Sequence, residues 1–249
     1  ESGKTYVGWA WKGIGNSATP SVTNTQGSIT SQVRANPTAG FSVVTYTGTG
    51  STASVGHGLG IAPAFYITKR RDSSSFGNWT VYHSSVGTQA LELNSTGAAF
   101  SDSTRWPSAA TSTVFNIGSN GNVNTSSGTY VAYCFSPVVG YSNAFSYTGN
   151  GSSDGPMVYL GFRSRLILLK RTDTSGDDWV MVDTARNSYN LCRNYLDANL
   201  SSAEMIFDLF DITSNGSKLR NNYQGWNASG GTYIGFAWAE MPFNYSRAR

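Results

Sequence analysis

Charge is scarce in this chain. Asp, Glu, Lys and Arg make up 12% of its 249 residues, about half the roughly 25% usual for soluble domains. The net charge of +3 is too small to imply nucleic-acid binding, and no glycine-aromatic RNA-binding signature accompanies the basic runs Lys69-Arg70-Arg71 and Lys170-Arg171. Those runs read as solvated strand ends. Histidine and cysteine number two each. His57, His83, Cys134 and Cys192 have no short Cys/His spacing, so neither a zinc site nor any other metal or cofactor is expected. No apolar run approaches the roughly 18 residues of a helical membrane span, so no membrane insertion is expected. No apolar signal-peptide region follows Glu1.

What is abundant points to strands and turns. Serine, threonine and asparagine number 35, 25 and 20, and glycine adds 28. These residues disfavour helices and favour turns. Aromatics at 13% supply large pieces of core between the turns.

The chain repeats itself. One phrase occurs as SGKTYVGWAW at 2–11, SSGTYVAYCF at 126–135 and SGGTYIGFAW at 229–238. Its alternation has period two, the signature of a strand. One face carries Val7, Trp9 and Trp11, matched by Val131, Tyr133, Phe135 and by Ile234, Phe236, Trp238. The other carries a tyrosine and then small residues. Cys134 stands there in place of Ala10 and Ala237 and reads as a small buried hydrophobe, not a reactive thiol. Longer matches follow: GFSVVTYTGTG at 40–50 with GYSNAFSYTGNG at 140–151, APAFYITKRRD at 62–72 with RSRLILLKRTD at 163–173, and NWTVYHSS at 78–85 with DWVMVDTA at 178–185.

The expected fold is all-β: two tandem antiparallel β-sandwich (jelly-roll) repeats at 40–137 and 138–249, preceded by a single orphan strand. Residues 1–39 read as the terminal strand of an upstream repeat plus a Gly/Ser/Thr-rich linker, as in a fragment of a longer chain or a cleaved product. Strands are expected at 41–47, 64–71, 78–83, 90–93, 113–117 and 129–135, then at 142–148, 157–171, 178–183, 206–213 and 232–238. Residues 186–209 hold the one candidate helix, where Arg186, Leu191, Leu196 and Leu200 loosely share a face; the matching segment 86–100 has no such pattern.

Catalytic patterns are not found. A jelly-roll glycosidase needs two carboxylates facing one cleft, and no Glu-x-Asp-x-x-Glu strand occurs. Glu204, Asp208 and Asp211 form the nearest cluster, and its counterpart in the first repeat has no matching acids. His57 sits in a glycine-rich turn, VGHGLG, without a GxSxG elbow anywhere. The loop DTSGDD at 173–178 offers oxygens to calcium, yet its counterpart DSSSFGN is almost without acids. The best binding candidates are aromatics with polar neighbours: Trp79 and Tyr82 beside His83, and Trp179 beside Asp183 and Arg186. Their ring faces could stack on sugars. Trp79 and Trp179 share a repeat position, however, which favours a role in the core. Val7, Trp9 and Trp11 are expected to add as an assembly strand to a sheet edge, in a neighbouring subunit before their own chain.

The succession GFSVVTYTGTG, VGHGLGIAP, TYVAYCF, YTGNGSSDGP, GFRSRLILLKRTD and TYIGFAWAEMPF resembles the tandem-repeat tail-fibre and virion proteins of tailed bacteriophages, marine and cyanobacterial ones especially. The resemblance covers nearly all of residues 2–243 and departs from the family at Ser164, where a proline is usual. It implies concanavalin-like β-sandwiches, no catalytic residues, and a virion component assembled in the host cytoplasm. The partners it implies are other copies of the chain, other virion proteins and a host-surface glycan. A free carbohydrate-binding module and a polysaccharide depolymerase are the alternatives.

Overall fold

The period-two phrase folds as strands in its second and third copies. The structure, a computed structural model, describes residues 3, 5–13 and 21–241. In chain order come β1 (Val22–Asn24), β2 (Ser31–Asn36), β3 (Phe41–Thr47), β4 (Ala53–Gly56), β5 (Phe65–Arg70), β6 (Thr80–His83), β7 (Gln89–Glu92), β8 (Phe100–Ser101), β9 (Val114–Ile117) and β10 (Thr129–Phe135). They are followed by β11 (Ser142–Thr148), β12 (Met157–Tyr159), β13 (Ser164–Arg171), β14 (Val180–Asp183), β15 (Cys192–Asp197), β16 (Met205–Thr213), β17 (Gly216–Leu219) and β18 (Thr232–Ala239). Single-turn helices α1 (Gly121–Asn124) and α2 (Gln224–Asn227) precede β10 and β18.

Two eight-stranded sheets result. The first runs β1-β2-β3-β10-β5-β6-β7-β8 and the second β11-β18-β13-β14-β15-β16-β17-β12. The six strands from β3 to β8 in the first order match the six from β11 to β16 in the second. All pairings between named strands in both sheets are antiparallel. The second sheet curls until β12 comes back towards β11, so it nearly closes. In the first half a separate ribbon of β4 and β9 covers the outer face instead.

The alternation along β10 and β18 decides where each side chain goes. Tyr130, Ala132 and Cys134 point into a core with Val44, Tyr66 and Phe115 under the β4–β9 ribbon. Tyr233 and Ala237 point into the second sheet's interior with Ile167, Val182 and Leu209. The opposite faces meet: Phe41, Phe65, Val81, Leu91 and Phe135 of the first sheet pack on Leu166, Leu168, Trp179, Phe236 and Trp238 of the second. Cys134 and Cys192 are both free and buried, one in each outer core.

The repeated residues make repeated contacts. Tyr46 stacks on Tyr130 with centroids 5.2 Å apart, and Tyr147 on Tyr233 at 4.9 Å. Tyr130 Oη accepts from Thr125 N–H and donates to Gly121 O; Tyr233 Oη accepts from Ala228 N–H and donates to Gln224 O. Asn124 and Asn227 each use Nδ2 to bridge two loop carbonyls, Ser51 and Gly118 in one case and Ser152 and Asn221 in the other.

Four expectations are corrected. Residues 5–11 lie in no strand; Val7 is exposed, while Trp9 and Trp11 rest on the layer between the sheets of their own chain. Trp11 meets Phe41, Phe135 and Trp238 there, three large apolar rings that shelter it within its own chain. The region read as a linker holds β1 and β2, with Val33 and Ile29 in the first core; its residues 14–20 lie outside the described ones. Small polar residues hid a strand that only pairing with β3 reveals. The candidate helix at 186–209 is instead β15 and the start of β16, held by pairs such as Val180↔Asp197 and Tyr195↔Met205. The single strand expected at 157–171 breaks where Leu160 and Gly161 donate their N–H groups to Asn215 O, which sends β12 to the sheet's far edge.

Candidate functional site

The six residues read as sugar-stacking candidates are divided between the first core, the seam between the sheets and the turn after β14, and do not form one open face. Tyr82 is buried in the first core and stacks on Tyr66 at 4.5 Å. His83 is buried at the seam, where its Nδ1 accepts from Ser85 N–H. That fixes the proton on Nε2, which donates to Gly235 O across the seam at 3.1 Å. Burial lowers the His83 pKa to about 4, keeping the ring neutral. Gly235 has no side chain because Phe145 Cζ lies 2.3 Å from where a Cβ would stand.

Trp179 is buried at the seam and its Nε1–H donates to Glu92 O at 3.0 Å. Trp79, at the same repeat position, is only half-buried and lies parallel to Tyr133. Asp183 is buried and accepts from Ala185 and Arg186 N–H and from Arg186 Nε. Arg186 goes on to pair with Glu204. These polar groups are engaged inside the protein, so ring faces and hydroxyl partners are not available to a glycan at Tyr82, His83, Trp179 or Asp183.

The acids of the other sequence clusters are likewise engaged. Glu204, Asp208 and Asp211 pair with Arg186, Arg193 and Arg220. Asp173 and Asp177 share Arg171, and Asp178 accepts from Asn199 Nδ2. No group of three or more metal-ligating side chains occurs among the described residues. Lys170 is buried beside them, donating to Asp177 O at 2.7 Å and Thr96 O at 3.2 Å, and burial lowers its pKa to about 8. It ties the second sheet to the loop after β7 of the first.

One open cleft of about 200 Å³ combines acids with aromatic rings. Asp197 and Asp178 border it together with Tyr195, Tyr223, Trp226 and Met205. Asp197 is 8% exposed, and its pKa is raised to about 6, first by desolvation and then by the charge of Asp178. Tyr223 and Trp226 lie 4.6 Å apart, with Phe207 edge-on to Trp226 at 5.7 Å. A carboxyl with a pKa of about 6 beside a second carboxyl can donate to one hydroxyl and accept from another, while the exposed Tyr223 ring offers an apolar face. Sequence reading stopped short of this group because its members come from four separate segments. The acidic loop at 173–178 was the only signal, and it pointed to a cation.

No curated protein and no solved structure matches the chain. A family model matches residues 1–242, so the chain belongs to the family described as a domain of unknown function, DUF7483.

Proposed function

We propose that this protein is a non-enzymatic virion structural component of a tailed bacteriophage, in a tail fibre or another surface-exposed part. Each sheet with its cover is taken as one concanavalin-like sandwich repeat, in line with the resemblance of the ordered motifs. The observation that carries the assembly role is an apolar wedge of about 640 Å³ between the sheets, bordered by Trp11, Tyr133, Met181 and Trp238. Apolar surface of that kind marks a site of association. Mass spectrometry and antibody labelling of purified particles test the proposal. The chain is expected at one fixed place on the particle; its absence from particles, with abundance in the lysate, would overturn the reading.

A second reading, glycan binding, is favoured by the Asp178–Asp197 cleft. Host-surface glycans would stack on Tyr223 and hydrogen-bond to the two carboxyls. On a glycan array, Tyr223→Ala is expected to lower affinity for any bound sugar by about tenfold, the loss of one stacking contact of roughly 1–1.5 kcal/mol. The same sugars incubated with the protein distinguish a binding module from a depolymerase: the binding reading expects no new reducing ends.

A further inference from the structure

One row of side chains crosses the seam face of the first sheet. Arg34 stands directly opposite Val43, Val43 opposite Tyr133, Tyr133 opposite Ile67, and Ile67 opposite Val81. Partners in an antiparallel ladder share a face. The row therefore begins with a guanidinium on β2 and continues with apolar groups, while Val33 and Ala35 of β2 turn to the first core. Val81 is sealed against the second sheet. Val43, Tyr133 and Ile67 are only half-buried, and so is Met181 on the facing wall. The apolar wedge lies over that half-covered stretch.

One end of the wedge is cationic. Lys12 and Arg34 are the charged side chains among its described lining residues, and no acid or amide is present there. The segment that carries Lys12 is tied to β2. Asn36 Nδ2 donates to Lys12 O at 3.2 Å, and a Cβ on Gly13 would stand 3.8 Å from Arg34 Cβ. Neither cation forms an ion pair among the described residues. Apolar walls ending in two cations without acid partners suit a ligand of the complementary make-up. A sugar would lose partners for its hydroxyls along these walls. A neutral hydrocarbon would leave both cations unmatched, and a cationic head would be repelled. The volume of about 640 Å³ falls within the roughly 300–1,000 Å³ of small-molecule sites.

We propose that the wedge binds a single-chain anionic amphiphile, a free fatty acid, with its carboxylate at Arg34 and Lys12 and its hydrocarbon along Val43, Tyr133 and Ile67 towards Met181. The Arg34 fork would donate to both carboxylate oxygens, and Lys12 would add a second charge. From Arg34 to Ile67 the row crosses three strand spacings, about 14 Å, which a chain of roughly ten to twelve carbons covers. The site is the wedge used above for assembly, but the inference goes beyond that reading. It rests on the two cations and concerns the isolated chain, so particle labelling stands or falls separately.

The probe is dodecanoate, titrated into the full chain below its micelle concentration. Calorimetry is expected to give one site per chain. Emission from Trp11 and Trp238 should change along the same binding curve. At about a hundred times the Kd the ligand should raise the melting temperature by roughly 5–10 °C. Octanoate, with fewer methylenes to bury, is expected to bind roughly a hundredfold more weakly. Lys12→Gln with Arg34→Gln should weaken dodecanoate by about tenfold or more, with the melting of the free protein moved by no more than about 2 °C. Met181→Trp, which fills the far end, should weaken it as well. Equal affinity for dodecyltrimethylammonium, or full affinity in the double glutamine variant, would overturn the proposal. So would the absence of saturable binding, with the chain instead held by phosphatidylglycerol vesicles. A discrete dimer that buries Tyr133 and Met181 and excludes dodecanoate would give the wedge to a second copy and overturn it too.

Discussion

At the scale of single residues, the seam and the cleft place titratable groups where the fold changes their proton affinity. His83 is held neutral, with a folded pKa of about 4 against an ordinary 6.5. The unfolded chain then binds more protons between those values, so stability falls as pH drops from about 6.5 through 4. Urea melts across that range should show a slope that His83→Gln flattens. Lys170 acts at the other end of the scale. Its folded pKa of about 8 lies below the ordinary 10.5, so its share of stability should rise with pH between the two. Lys170→Met is expected to remove that rise, measured by melts at pH 8 and 10. Asp197 has the opposite sign from His83. With a pKa raised to about 6, it is neutral in the fold where the unfolded carboxyl has ionised. Asp197→Asn should stabilise the protein at pH 7.5 by about 1 kcal/mol, allowing for solvent screening at the cleft mouth, and by nothing below about pH 4.

Among elements, β10 and β18 do the most. Each lies inside its sheet, gives one face to an outer core and the other to the seam, and is pinned by its tyrosine to the single-turn helix before it. Tyr130→Phe and Tyr233→Phe should each cost about 1–3 kcal/mol in denaturant melts, because two loop groups lose their partner. The two losses should be similar, since the contacts are the same. The strands that were legible beforehand share one property. Residues 41–47, 129–135 and 142–148 lie in phrases that recur along the chain, and the structure gives β3, β10 and β11 those bounds. Where apolar residues were few or irregularly spaced the reading failed. β2 has only Val33 and Ala35 as apolar residues, and β15 carries leucine and charge at spacings that also suit a helix. Such segments take their form from the neighbours they pair with, which the local pattern does not contain.

At the scale of the whole molecule, the free cysteines and the seam make separate expectations. Cys134 and Cys192 sit in different cores, and burial pushes their pKa values up to about 12 and about 11. Titration with a thiol reagent should find both after denaturation without reductant and neither at an appreciable rate in the native protein. The sequence by itself determined the strand-rich class, the repeated phrase and the two faces of its strand, because alternation and internal repetition are properties of neighbouring residues. It also marked Trp79 and Trp179 as one position. Only the tertiary structure decided that Trp179 is sealed against Glu92 O while Trp79 stays half-open, and that Trp11 joins Phe135 and Trp238. It alone brought Asp178, Asp197 and Tyr223 to one cleft. The physical reason is the same in each case. Two copies of one pattern are locally alike, and they become different only through the surface each happens to be packed against.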